Sequence, residues 1–159
     1  MTNFSWPSRI TAEVVTRAGW SPERKIDIQP WLDDLGSQGF SFSQYAIDVL
    51  TSFGGLRIPP QKIEGALYAG TEIEFDPMEV GDGMRERYVN IESRLGQRLS
   101  PLADCGGESS LLIAENGSIL QDWSGGIRLL GETFPDALDL AIRRHKWPVS
   151  VVEFDKDEG

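Results

Sequence analysis

The chain holds a single cysteine and a single histidine, and that scarcity removes most metal and nucleophilic chemistry at the outset. Cys105 has no partner for an internal disulfide, which points to a reducing compartment. Structural zinc draws its four ligands mainly from Cys and His, and two such residues do not complete a cage. A catalytic pair of Cys105 and His145 would need the fold to join a glycine-rich loop to a helix end. Positive charge is also short: 15 Lys and Arg against 25 Asp and Glu give a formal charge of −10. Such a surface repels phosphate backbones and argues against direct nucleic-acid binding. No apolar run approaches the roughly 18 residues of a membrane span, and the first residues lack the basic and apolar segments of a secretory signal. Cytoplasmic residence is the expectation.

What is present suits one domain. At 159 residues, 40% hydrophobic and 25% charged, the chain has an ordinary globular composition and enough length for one core. The acids are unevenly spread. Between residues 72 and 92 seven carboxylates, Glu72, Glu74, Asp76, Glu79, Asp82, Glu86 and Glu92, face only Arg85 and Arg87. Residues 153–159 add four more against one lysine, so the division is a domain over 1–152 and an acidic tail over 153–159.

Periodicity sets the elements. Ser8 caps a helix carrying Ile10, Val14, Val15 and Ala18 and ending at Gly19. Pro30 starts a short helix with Trp31, Leu32 and Leu35, and Ser43 a stronger one with Ala46, Ile47, Val49, Leu50 and Phe53. Leu56–Ile58 reads as a brief strand cut off by Pro59 and Pro60. In Thr71–Asp76, alternation places Ile73 and Phe75 on one face and Glu72, Glu74 and Asp76 on the other. Met84, Tyr88, Ile91 and Leu95 mark a helix closed by Gly96. Pro101 predicts an edge strand over Leu99–Leu102, and Asn116-Gly117 a tight hairpin between Leu111–Ile113 and Ile119–Leu120. Thr133 caps a last helix, with a final strand over Val149–Val152. The order predicts an α+β domain with a mainly antiparallel sheet and four to five helices.

Several short motifs in this order resemble the third family of the SUKH superfamily of bacterial immunity proteins. They are Ala18-Gly19-Trp20 with Pro22 and Arg24, Phe53-Gly54-Gly55-Leu56, Phe75-Asp76-Pro77, Pro101-Leu102, Ala114-Glu115-Asn116-Gly117, and Leu130-Gly131 before Ala137-Leu138. Ala103 stands where a glycine is expected, and Trp147–Gly159 runs beyond the resemblance. The resemblance implies a SUKH-like α+β domain that binds and blocks a toxin domain, often a nuclease or deaminase, encoded beside it. The motif residues Gly19, Trp20, Arg24, Gly54, Gly55, Asp76, Pro77, Pro101, Gly117 and Gly131 read as scaffold, not contact surface.

Other chemistries fit less well. Glu72, Glu74 and Asp76 on a strand lie about 6–7 Å apart with no loop to wrap a hard cation. Gly106-Gly107 and Gly125-Gly126 lack the lysine and hydroxyl that a phosphate loop requires and read as turns. No enzyme, metal or cofactor is expected; an intracellular scaffold is the second reading, implied by other branches of the superfamily, and a carboxylate hydrolase the third. The expected partner is a basic toxin domain met by Glu72, Glu74, Asp76, Glu79 and Asp82, with Trp123 partly exposed at the interface. On this reading, charge reversal at Glu72, Glu74 and Asp76 slows association with the toxin and flattens its salt dependence in stopped-flow binding.

Overall fold

A computed structural model describes residues 4–155; Lys156–Gly159 of the expected acidic tail lie outside the described residues. Helix α1 (Arg9–Arg17) begins where the Ser8 hydroxyl accepts the Thr11 amide, and α3 (Gln44–Phe53) where Ser43 accepts the Ala46 amide. Between them α2 (Gln29–Ser37) carries Pro30 in its first turn, where no donor is needed. The inward stripe of α1 differs from expectation: Ile10 is exposed, and Thr11 is buried beside Val14 and Val15. Thr11 is admitted because its hydroxyl donates to Asp139 at 2.8 Å, so the polar group is not left unpaired.

The strands are β1 (Arg57–Ile58), β2 (Ile73–Glu74), β3 (Leu99–Cys105), β4 (Ser109–Ala114), β5 (Ile119–Trp123), β6 (Gly126–Gly131) and β7 (Val149–Glu153). They form one seven-stranded sheet in sequential order, with every pairing antiparallel. Helices α4 (Pro77–Gly81) and α5 (Arg85–Leu95) connect β2 to β3, and α6 (Phe134–Arg143) connects β6 to β7. The molecule is a single α+β domain, with one short helix beyond the predicted set.

The edge position expected for Leu99–Leu102 is met, since β2 pairs with β3 at Asp104 and Cys105 and leaves β4 as the one strand partner over Leu99–Leu102. Pro101 therefore interrupts no ladder on its open side, where Gly81 of α4 packs against its ring, and the β3–β4 register shifts just beyond it, between Pro101 and Ala103. The tight hairpin expected at Asn116-Gly117 joins β4 to β5, with the positive torsion at Gly117 (φ 95°). The Gly117 amide bonds Ala114 O and the Ala114 amide bonds Ser118 O, giving a three-residue loop with glycine in the left-handed position. The turn with two positive torsions is Gly106-Gly107 (63° and 74°), which joins β3 to β4.

Both faces of the central strands are buried. On one, α1, α3 and α6 cover Ile73, Leu102, Leu111, Ile113, Ile119 and Leu130. Phe53 is the hub there, with ring centroids of Phe134 at 5.0 Å, Phe75 at 5.2 Å, Trp6 at 5.7 Å and Trp20 at 5.8 Å. On the other face Leu35, Phe40, Val80, Tyr88 and Ile91 cover Leu99, Leu112, Leu120 and Ile127. The run Leu111-Leu112-Ile113-Ala114 therefore serves two cores by turns, as a strand covered on both sides requires.

Buried polar groups fix how the helices sit. Asp122 on β5 accepts Arg87 at 3.1 and 2.8 Å and the Tyr88 hydroxyl at 3.0 Å, tying α5 to the sheet. Asp139 on α6 accepts Ser8, Thr11 and Arg143. Burial alone would raise the Asp139 carboxyl, but those three donors hold it below the usual range. A depressed folded pKa contributes stability above the unfolded value of about 4 and loses it as pH falls through the folded value. Asp139→Ala is expected to cost about 2–3 kcal/mol at neutral pH in urea unfolding, and to flatten the acid limb of stability below about pH 4.

Candidate functional site

The acids that the sequence groups together have different roles in the fold. Glu74 lies opposite Ile73 in facing, on the side of the sheet that α4 and α5 cover farther along. Its cross-strand neighbours are Arg57 and Asp104. Arg57 approaches Glu74 at 3.1 Å and Glu72 at 3.6 Å, so part of the expected anionic face is already compensated. Asp76 does not continue the strand. Its carboxylate accepts the Met78 amide and caps α4, with Pro77 buried in the first turn. The strand expected over Thr71–Asp76 thus shrinks to two residues, because an Asp-Pro pair makes a better helix start than a strand end.

Farther along, Glu79 and Asp82 are exposed. The Gln38 amide donates to Asp82 at 2.9 Å and to Asp34 on α2 also at 2.9 Å, while its oxygen accepts the Gly83 amide. One neutral side chain thus holds two carboxylates from distant segments close together. Among the described residues Asp34, Glu79 and Asp82 form no ion pair with Lys or Arg. Their fields add across this corner of α2 and α4. Asp34 was missed in the sequence, although Leu35 facing the core places its neighbour outward; nothing local linked it to residues 79–82. Exposed Met84 and Val89 supply apolar surface beside these acids along the chain.

Trp123 does not join them. Along β5 residues 119, 121 and 123 point to the α1, α3 and α6 side, while 120 and 122 point to α5. Trp123 is half-buried there, with the Arg128 guanidinium 4.3 Å above its ring. The acidic corner and Trp123 therefore lie on opposite sides of the sheet.

The motif residues do structural work. Trp20 is buried and stacks on Phe53, its indole donating to Ser52 at 2.8 Å. Arg24 donates to the carbonyls of Ser52 and Gly54, each at 2.8 Å, and so holds the end of α3. A side chain at Gly54 would meet Leu50 O and Trp31 at 2.6 Å, and one at Gly131 would meet the Ala137 amide at 2.6 Å. Gly19 and Gly55 take positive φ at the chain reversals after α1 and α3.

Cys105 is not in a loop, as the sequence suggested, but ends β3, 3% exposed. Burial pushes its thiol up to about 12, so the nucleophilic thiolate is scarce. His145 is exposed past α6 and lines a different cleft from the one that Cys105 borders. Among the described residues no group of three His, Cys, Asp or Glu is placed to hold a metal ion, and no helix is long and apolar enough to cross a membrane.

A family model described as SUKH-3 immunity protein matches residues 7–143. No curated protein and no solved structure matches the chain. The matched span runs from just before the Ser8 cap to the last residue of α6, and leaves β7 outside. With its thiol raised and enclosed, Cys105 is expected to react with a disulfide reagent at pH 8 about 1,000-fold more slowly in the native protein than in urea; comparable rates would show that the site opens freely.

Proposed function

Because the chain belongs to the SUKH-3 immunity protein family, we propose that it silences its cognate toxin by occlusion, setting the acidic corner of α2 and α4 against a basic toxin surface. Members of an immunity family of this kind neutralise a polymorphic toxin and are not enzymes, so the partner is a toxin domain. The toxin chemistry that suits this surface is action on nucleic acid, by a nuclease or a deaminase, because such sites carry positive charge to hold phosphates. The protein is expected to work in the cytoplasm, where such a toxin meets its target and where a lone thiol stays reduced.

The observation that carries the reading is the pairing of Asp34 with Asp82 through Gln38, next to Glu79, with none of the three in an ion pair among the described residues. Charge there speeds encounter, while Met84 and Val89 supply apolar contact that slows release. Glu72 and Glu74 add less because Arg57 already faces them, and Asp76 adds little because its carboxylate is engaged in the α4 cap.

Co-expression with the toxin domain is the direct test: survival of the cells and co-purification of the two chains are expected, and death despite well-expressed, folded protein would refute the reading. The face is tested separately. Glu79→Lys with Asp82→Lys is expected to slow association about tenfold or more at low salt and to flatten its salt dependence. Glu72→Gln with Glu74→Gln is expected to change the rate by less than about threefold. Equal effects of the two pairs would move the interface away from α4.

A further inference from the structure

On the side of the sheet away from the acidic corner, a cavity of about 250 Å³ lies between residues 68–71, the β3–β4 turn, the β5–β6 hairpin and the end of α6. Its charged lining runs against the charge of the whole molecule: Arg128 and Arg144 are present, with the exposed Glu108 as the one carboxylate among its lining residues. Neither arginine forms an ion pair among the described residues. A guanidinium removed from water without a carboxylate partner is costly, and native folds rarely keep one without use.

Arg144 is held in place by unusual means. It is 5% exposed and, among the described residues, the one non-glycine with positive φ, at 51°. That backbone strain is sustained by the structure around it. Its carbonyl accepts the Leu67 amide at 2.9 Å, its Nη2 donates to Gln61 O, and the absence of a side chain at Gly70 leaves the space that its guanidinium fills. Arg128 is braced by its bond to Gln121 at 2.8 Å and by its position over Trp123. Tyr68, stacked on the exposed Trp147 at 4.8 Å, closes one side. Burial raises the Tyr68 hydroxyl while Arg128 and Arg144 both pull it back, so both cations act on this space.

Three N–H groups of the lining residues are buried and have no acceptor: Nε of Arg128, Nε of Arg144 and Nε1 of Trp123. Two of them belong to fixed positive charges, and it is the guanidinium charge of Arg128 and Arg144, with no carboxylate in an ion pair with it, that calls for an anionic group in the cavity. The volume exceeds that of a bare ion, and Ile73, Leu111 and Leu130 supply an apolar wall for the rest of a ligand.

We propose that this cavity binds a small organic anion, whose carboxylate or phosphate group sits against the guanidinium groups of Arg128 and Arg144. The site is separate from the toxin-facing corner and requires no toxin.

The test uses the full chain, labelled with nitrogen-15, and follows the Trp123 indole N–H while succinate, inorganic phosphate or chloride is added at constant ionic strength. A saturable shift with succinate or phosphate beyond that with chloride is expected, and the stronger of the two identifies the head group. Arg128→Gln and Arg144→Gln are each expected to raise the half-saturating concentration about tenfold or more, and Glu108→Gln to lower it. Should Arg144→Gln fail to fold, Arg128→Gln decides, since its side chain is only half-buried. No saturable shift with either oxyanion, or a shift that Arg128→Gln leaves unchanged, overturns the proposal.

Discussion

A sheet whose central strands are buried on both faces leaves little of that surface to offer a partner, and that constraint shapes the rest of this molecule. The central strands β3 to β6 send alternate side chains into two separate cores, one built around Phe53 and the other around Tyr88. The driving force is apolar burial on each side, at about 25 cal/mol per Å². The polar interior groups then set geometry: Asp139 locks α1 to α6, and Asp122 locks α5 to β5. The surfaces proposed for binding accordingly lie on helices, loops and the ends of strands.

Two such places stand out, and they have opposite charge. At the corner of α2 and α4 two carboxylates are gathered by a neutral amide, the surface proposed above for a basic protein partner. Across the sheet, where α6 ends, cationic and aromatic groups line a small cavity that also has an apolar wall. The sheet separates the two fields by its thickness and both cores. A protein of net charge −10 can therefore carry an acidic docking surface and a cationic pocket that do not cancel one another.

Much of the fold was legible because local rules agreed with tertiary ones. Ser8, Ser43 and Thr133 cap the helices they were expected to cap, and Gly96 ends α5 with φ 71°. The errors fall where one signal had two outcomes. Asp76 suits alternation as well as a helix cap, and the following proline favoured the cap. Strand β6 was missed altogether, since Gly126-Ile127-Arg128-Leu129-Leu130-Gly131 has no strict alternation and its bulge against β7 disturbs the period. The candidate surface was legible only in part. Glu79 and Asp82 were identified from local charge density, whereas Asp34 reaches them from 45 and 48 positions earlier in the chain. Arg144 gave no sequence signal beyond its place at a helix end, because its burial depends on Gly70 and on the loop that crosses it.

The central claim is that protection is stoichiometric and leaves every covalent bond intact. It is tested most directly by titrating a fixed amount of purified toxin domain with this protein and following toxin turnover. Residual activity should fall linearly to near zero at one equivalent, at a level that does not drift with time, and full activity should return when the complex is dissociated and the toxin recovered. Progressive inactivation of toxin by a small fraction of an equivalent, or a toxin recovered chemically altered, would contradict it.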